Sequence, residues 1–391
     1  NPNALFDSTR GAGKLIVSNT SAEETGNAGD LLGSFDVDGF QVNRDYLVHT
    51  AYDTTNGAAS PLTYVAWCWK ANGGTTASNG LGSITSTVQV NDAAGFSIVE
   101  YDGTGAAATI GHGLSSAPEL IFSKRISSSN DWVAGAIDWT KYLEPNGTPG
   151  FRTASSVWND TAPSSTVFSV AGSGGSNGSG ETNIAYCWHS VDGFSKIGTY
   201  TGNGDPFGPI VETGFEVGYV MIKNLDTTND WQIFDNGRNT SNPRTEAISP
   251  SSIGGDWTNS GYKVDFLANG FQIIGDGSGV NDSGDSILYM AIAADPDTEA
   301  PTLADSFGIK LYTGDYNSSN ALSGLGFSPN LVWIKNRPQA DSHMLFDTIR
   351  GAENFLHSNT NDEQSTDADT LKSFDVDGFT VGSDGRVNAT V

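Results

Sequence analysis

The chain has 391 residues, with 45 acidic and 19 basic side chains and a formal net charge of −26. So acidic a surface repels phosphate backbones and anionic bilayers, which argues against a nucleic-acid partner, and no apolar stretch approaches the length of a membrane span, which argues against membrane insertion. Gly, Ser, Thr and Asn abound, yet nine Trp and nineteen Phe can build several small cores, which argues against wholesale disorder.

Apolar runs are short, β-branched and aromatic, and turn signals such as Asp-Gly, Asn-Gly and Gly-Asn recur, so the chain reads as all-β. The first landmark is Leu5-Phe6-Asp7-Ser8-Thr9-Arg10-Gly11-Ala12, answered late in the chain by Leu345–Ala352. Ser-Asn-Thr follows each copy, at 18–20 and 358–360, and Ser-Phe-Asp-Val-Asp-Gly-Phe stands at both 34–40 and 373–379. A frame shared over about 35 residues marks an array of similar modules. The aromatic strand Tyr64–Trp69 closes the first of them, so residues 1–70 read as the C-terminal part of a β-sandwich unit. Residues 71–95, rich in Gly, Ser, Thr and Asn, read as a linker.

Three opening strands then set the period, beginning at Phe96, Phe194 and Phe307. Further into each unit comes an apolar strand ending in Lys: Leu120–Lys124, Tyr219–Lys223 and Leu331–Lys335. Trp132, Trp231 and His343 follow in matching places, then Phe234-Asp235 with Arg238 and Phe346-Asp347 with Arg350. Next comes a hairpin, Phe-Asp-x-Asp-Gly-Phe or Leu267-Ala-Asn-Gly-Phe271, in which Asp-Gly or Asn-Gly is expected to supply the positive φ of a two-residue turn. Aromatic closing strands end the units at 64–69, 184–188 and 288–293, and Cys68 and Cys187 hold equivalent positions there, as two buried thiols. Units of this size with six or more short strands suit a jelly-roll sandwich. The expected layout is a sandwich at 96–193, another at 194–294, a linker at 295–306, and a unit at 307–391 that lacks its closing strand. The array is thus incomplete at both ends, and the parent polypeptide, or another chain, is expected to complete them.

The strings Tyr64–Gly74 and Val332-Trp-Ile-Lys-Asn-Arg337, with Leu-Phe-Asp-x-x-Arg-Gly and Ser-Phe-Asp-x-Asp-Gly-Phe, resemble tandem repeats of marine bacteriophage structural and tail-fibre-like proteins. The resemblance covers nearly the whole chain. It implies concanavalin A/laminin-G-like jelly-roll modules, a place on the virion surface beside other virion proteins, and a trimer, as phage fibres commonly are. It supplies no catalytic residues.

The candidate ligand contacts are Trp132 and Trp231 with the preceding Asp131 and Asp230, because an exposed Trp suits stacking on a pyranose face; a core Trp is the competing reading. The pairs Asp7/Arg10, Asp235/Arg238 and Asp347/Arg350 read as structural ion pairs that pin the turn after a strand. Asp36-Val-Asp38-Gly39 and Asp375-Val-Asp377-Gly378 lack the spacing of an EF-hand, and Gly11-Ala-Gly-Lys14 lacks that of a phosphate loop. No cofactor is expected, with calcium assembled from distant loops the one left open. No Glu-x-Asp-x-x-Glu string and no Ser-His-Asp set can be picked out, so no enzyme is expected. The functional expectation is a tail-fibre or adhesin segment holding a host surface glycan or protein by many weak contacts. The alternatives are a non-binding spacer or capsid decoration, and a secreted bacterial lectin or polysaccharide depolymerase.

Overall fold

The computed structural model describes residues 4–11, 14–26, 32–35, 38–42, 63–294 and 306–390. The fold is all-β, and its helices among these residues are one-turn pieces of three or four residues. It holds three β-sandwiches. In each, the closing strand lies between the opening strand and the Lys-bearing strand: Thr182–Trp188 between Phe96–Asp102 and Leu120–Arg125, and Ser286–Ala293 between Ser195–Thr201 and Val217–Asn224.

The third sandwich draws on both ends of the sequence. Thr63–Trp69 enters between Phe307–Thr313 and Leu331–Asn336, pairing Phe307 with Trp69 and Lys335 with Val65. The early closing strand therefore serves the sandwich that opens at Phe307.

Each sandwich has a second, smaller sheet, formed by 108–111 with 167–170, by 210–212, 270–273 and 264–267, and by 320–323, 378–381, 371–375, 38–42 and 32–35. Strand side chains alternate between faces. Ile184, Tyr186 and Trp188 of one closing strand point to a shared centre, while Ala185 and Cys187 point into their own sandwich. Val65, Trp67 and Trp69 oppose Ala66 and Cys68 in the same way, and Leu288, Met290 and Ile292 oppose Ile287, Tyr289 and Ala291. Three local cores thus surround one common core, and the closing strands are apolar throughout because both faces are buried. Both thiols are free and buried, at equivalent positions.

The sandwiches clasp one another in one direction round a ring. Trp132 Nε1 of the first donates to Val17 O of the third at 2.9 Å, and Trp231 Nε1 of the second donates to Glu144 O of the first at 3.1 Å. The third holds the second through Arg337, paired with Asp256 and Glu246, and through Asp256 N–H donating to Arg337 O at 3.1 Å. The Lys-bearing strands reinforce this. Lys124 Nζ donates to Ser21 O (3.0 Å) and Lys223 Nζ to Thr148 O (3.0 Å), each across a boundary. Such head-to-tail contacts close only when the rotation sums to a full turn, and three units achieve it here.

A corner absent from the sequence reading recurs in all three sandwiches. The opening-strand tyrosines Tyr101, Tyr200 and Tyr312 each donate to a one-turn-helix carbonyl at 2.6 Å, those of Ser176, Val280 and Val387. The next residue is a buried Asn: Asn177, Asn281 or Asn388. Its amide ties the glycine-rich turn after the opening strand, accepting from Thr104, Asn203 and Asp315 N–H at 2.8, 2.9 and 3.0 Å. The amide completes a turn whose flanking N–H groups bond to backbone carbonyls, Gly105 N–H to Asn177 O and Gly204 N–H to Asn281 O, both at 2.9 Å.

Two expectations are corrected. Residues 71–95 are no free linker: Ala77–Asn79 and Ser86–Asn91 form a hairpin that extends the first sandwich, with Ser86–Asn91 paired along Phe96–Asp102. The hairpin glycines do not sit in the turns. Asp375 pairs with Gly378 and Leu267 with Gly270, so Val376-Asp377 and Ala268-Asn269 are the loops. Each Gly opens the return strand, where a Cβ would lie 1.9 Å from Leu322 O or 2.0 Å from Val211 O. Both glycines carry the expected positive φ, 152° at Gly270 and 153° at Gly378, so conformation and close backbone approach together select glycine there. The expected linker 295–306 lies, apart from Ser306, outside the described residues.

Candidate functional site

The Asp/Arg pairs are structural. Asp7 and Arg10 pair at 2.7 Å, Asp235 and Arg238 at 2.5 Å, and Asp347 with Arg350, all with fully buried side chains. Each Asp also accepts the Arg backbone N–H, at 3.2, 2.8 and 2.8 Å, which pins the turn. The guanidinium faces are covered by the next sandwich: Arg238 lies over Trp67 at 5.7 Å and Arg350 over Tyr186 at 5.6 Å.

Trp132 and Trp231 are not stacking platforms. Both are 1 % exposed, with their indole N–H groups committed to the neighbouring sandwich. Sequence spacing gave them matching places, each just before a strand, but could not say that the face they present is an inter-sandwich seam. Asp131 is half-buried and accepts from Asn146 Nδ2 at 3.0 Å, a loop contact. Asp230 has a different setting.

Asp230 lines a cleft of about 340 Å³ between the first and second sandwiches, with Thr148, Asn229, Gln232, Trp257, Asn259 and Tyr262. Its floor is assembled by the boundary itself. Asn229 N–H donates to Thr148 O at 2.9 Å, and Lys223 beneath donates to Thr148 O and to Asn229 O at 2.7 Å. Burial pulls the Lys223 ammonium down to about 7, against the raising pull of Asp230. Trp257 and Tyr262 meet edge to face at 5.0 Å, and both are half-buried, so their rings keep accessible surface. The Trp257 ring is fixed through Nε1 to Ser249 Oγ at 3.4 Å, and the Tyr262 hydroxyl accepts from Gly279 N–H at 3.2 Å.

The polar groups are partly committed. Asp230 Oδ1 accepts from Ser251 Oγ at 2.8 Å, and Asn259 Oδ1 accepts from Gly261 N–H at 2.9 Å. Gln232, 3 % exposed, donates through Nε2 to Asp230 O at 3.3 Å, while its Oε1 has no hydrogen-bond partner. Aromatic rings beside amides and one carboxylate can stack on and hydrogen-bond a polyhydroxyl ligand. Asp230 is the one carboxylate in the lining, whereas glycoside hydrolysis uses a pair.

A second hollow, of about 260 Å³ between the second and third sandwiches, is lined by glycines, alkyl groups and the Phe307 ring, with Asn236 as its one polar side chain. Among the described residues no three His, Cys, Asp or Glu side chains converge as a metal site would require. No described helix is long and apolar enough to cross a membrane.

The family model for a domain of unknown function, DUF7483, matches residues 1–296 and 302–391. The chain belongs to that family. The unmatched stretch falls inside the segment 295–306 that separates the second sandwich from the third. No curated protein and no solved structure matches the chain. For this DUF7483 member the site must therefore be argued from its residues. Trp257, Asn259 and Tyr262 were missed in the sequence because they lie in the polar stretch between Arg238 and the hairpin at 267–271, outside every repeated frame. Two aromatics in that Gly/Ser/Asn-rich stretch were the available signal.

Proposed function

We propose that the chain is a carbohydrate-binding structural module of a phage particle, a segment of a tail fibre or similar adhesin that holds a host surface glycan. The observation that carries this reading is the Trp257/Tyr262 cleft, where ring faces adjoin Asp230, Gln232 and Asn259. A pyranose laid on the rings would offer its hydroxyls to these acceptors and donors, and nothing in the lining points to turnover. The sequence resemblance to phage repeats supports the virion setting, beside other virion proteins. A single shallow cleft makes a weak contact, and adhesion then comes from many copies acting together.

The test is a glycan array followed by calorimetry with the wild-type chain and Trp257→Ala. The expected result is millimolar binding of a hexose-containing glycan that the substitution abolishes without loss of fold. Silence across the array at high protein concentration, or equal binding by both proteins, would overturn it. Silence would favour the second reading, a spacer or capsid decoration. That reading has its own observation: the features repeated in every sandwich, the buried Lys and the Tyr–Asn corner, are all spent on structure. Shortened polysaccharide chains after incubation would instead indicate a depolymerase.

A further inference from the structure

Gln232 opens the strand Gln232–Asp235 on the border of the Trp257/Tyr262 cleft. In the first sandwich the same register place, opposite the residue before the buried Lys, belongs to Val133, which packs in its own apolar core. The fold therefore does not require an amide there. The Gln232 side chain is 3 % exposed, and its Nε2 meets the Asp230 backbone carbonyl at 3.3 Å. A carbonyl only accepts, so the amide nitrogen must be the atom turned toward it, and Oε1 is the end left over. That oxygen has no hydrogen-bond partner among the described residues. Buried acceptors are rarely left unmade, so this one points to a donor supplied from outside the chain.

The rest of the cleft fits the same kind of partner. Asp230 Oδ1 accepts from Ser251 Oγ at 2.8 Å, and the carboxylate keeps further acceptor capacity at Oδ2. Trp257 pairs across a strand with Ala247, and Tyr262 N–H donates to Asn259 O at 3.1 Å in a tight turn, so both rings are held in place. Among the described residues no Lys or Arg stands in the lining. The cation beneath it, Lys223, is committed to Thr148 O and Asn229 O, and burial pulls it down to about 7. The lining thus offers acceptors and one negative charge, inside a chain of net charge −26.

We propose that the cleft selects an uncharged pyranose, which gives one hydroxyl to Gln232 Oε1 and one to Asp230 while its C–H face lies on Trp257 and Tyr262, and that hexuronic acids are rejected. This rests on the carbohydrate-binding reading above and adds its specificity. Gln232 acts as a hydroxyl socket: a site built to take a hydroxyl loses affinity when none is given, because its acceptor is then buried unpaired. Asp230 acts by charge, since a ligand carboxylate held beside it is repelled.

Titrations of the full chain, followed by NMR of the tryptophan indole N–H groups, test this. The probes are the methyl glycosides of glucose and galactose and those of the matching hexuronic acids. In the wild type at least one neutral glycoside should bind about tenfold more tightly than its uronic counterpart, or better. Gln232→Met keeps the chain length and removes the acceptor; it should weaken that glycoside about tenfold with a melting temperature near that of the wild type. Trp257→Ala should abolish binding of every probe. A uronic probe bound as tightly as the neutral one, or Gln232→Met binding like the wild type, would overturn the specificity, while loss of binding in Trp257→Ala would still uphold the reading beneath it. No probe bound, or equal binding by Trp257→Ala, would overturn both. The comparison of neutral and uronic probes uses the wild type alone, so it decides the matter even where Gln232→Met fails to fold.

Discussion

Replacing Trp231 by Ala separates a seam residue from a surface platform. The indole is 1 % exposed, lies edge-on to Phe122 at 5.5 Å, and donates to Glu144 O of the neighbouring sandwich at 3.1 Å. Emptying such a site costs about 3–5 kcal/mol, because the surroundings relax only partly into the cavity. Stranding the Glu144 carbonyl adds about 1 kcal/mol. The expected loss is therefore about 4–6 kcal/mol, while Trp231→Phe, which keeps most of the packing and loses the hydrogen bond, should cost about 1–2 kcal/mol. Guanidinium denaturation followed by far-ultraviolet circular dichroism measures both, through the shift in midpoint at fixed slope. A loss for Trp231→Ala below about 1 kcal/mol, the size expected of a surface substitution, would refute the seam and return the residue to the surface.

Asn281→Ala removes bonds to Asp205 O and Gly275 O (both 2.8 Å) and from Asn203 N–H (2.9 Å), and should destabilise by about 2–4 kcal/mol in thermal melts, with faster exchange in the 203–208 turn. Stability should rise from pH 7 to pH 9. Burial lowers Lys223 to about 7 and Lys335 to about 8, so in this window these two ammonium groups hold fewer protons in the native chain than in the unfolded one, while Glu24 and Asp362, raised to about 7 by burial, lose their opposing protons across its lower part. The gain should taper above pH 9, where Cys68 and Cys187 ionise in the unfolded chain but are held as thiols by burial in the folded one. Lys223→Met should flatten part of the rise in denaturation midpoints across these pH values, and an unchanged slope would count against a depressed Lys223.

The unit organisation was legible because it is written locally. Opening strands, Lys-ending strands and closing strands each carry their own apolar string, and the spacing of the strings gave the sandwiches. The Asp/Arg pairs were legible for the same reason, since both partners lie three residues apart and serve the same turn. The positive φ of the hairpin glycines was legible, but their place at the start of the return strand was not, because the carbonyls that crowd Gly270 and Gly378 come from Val211 and Leu322, distant in sequence. The candidate cleft was half-legible: Asp230 was marked, but as a companion of a Trp that turns inward.

By itself, then, the sequence determined an all-β chain of repeated sandwiches with two buried thiols and strands apolar on both faces. An uninterrupted apolar run says that such a strand is buried on both faces; it does not say against what. Only the tertiary structure decided that the second face of every closing strand meets a common centre, that Thr63–Trp69 serves the sandwich begun at Phe307, and that Trp132 and Trp231 seal boundaries. Those choices depend on a rotation that closes after three units, a property of the packed whole that no single string of residues encodes.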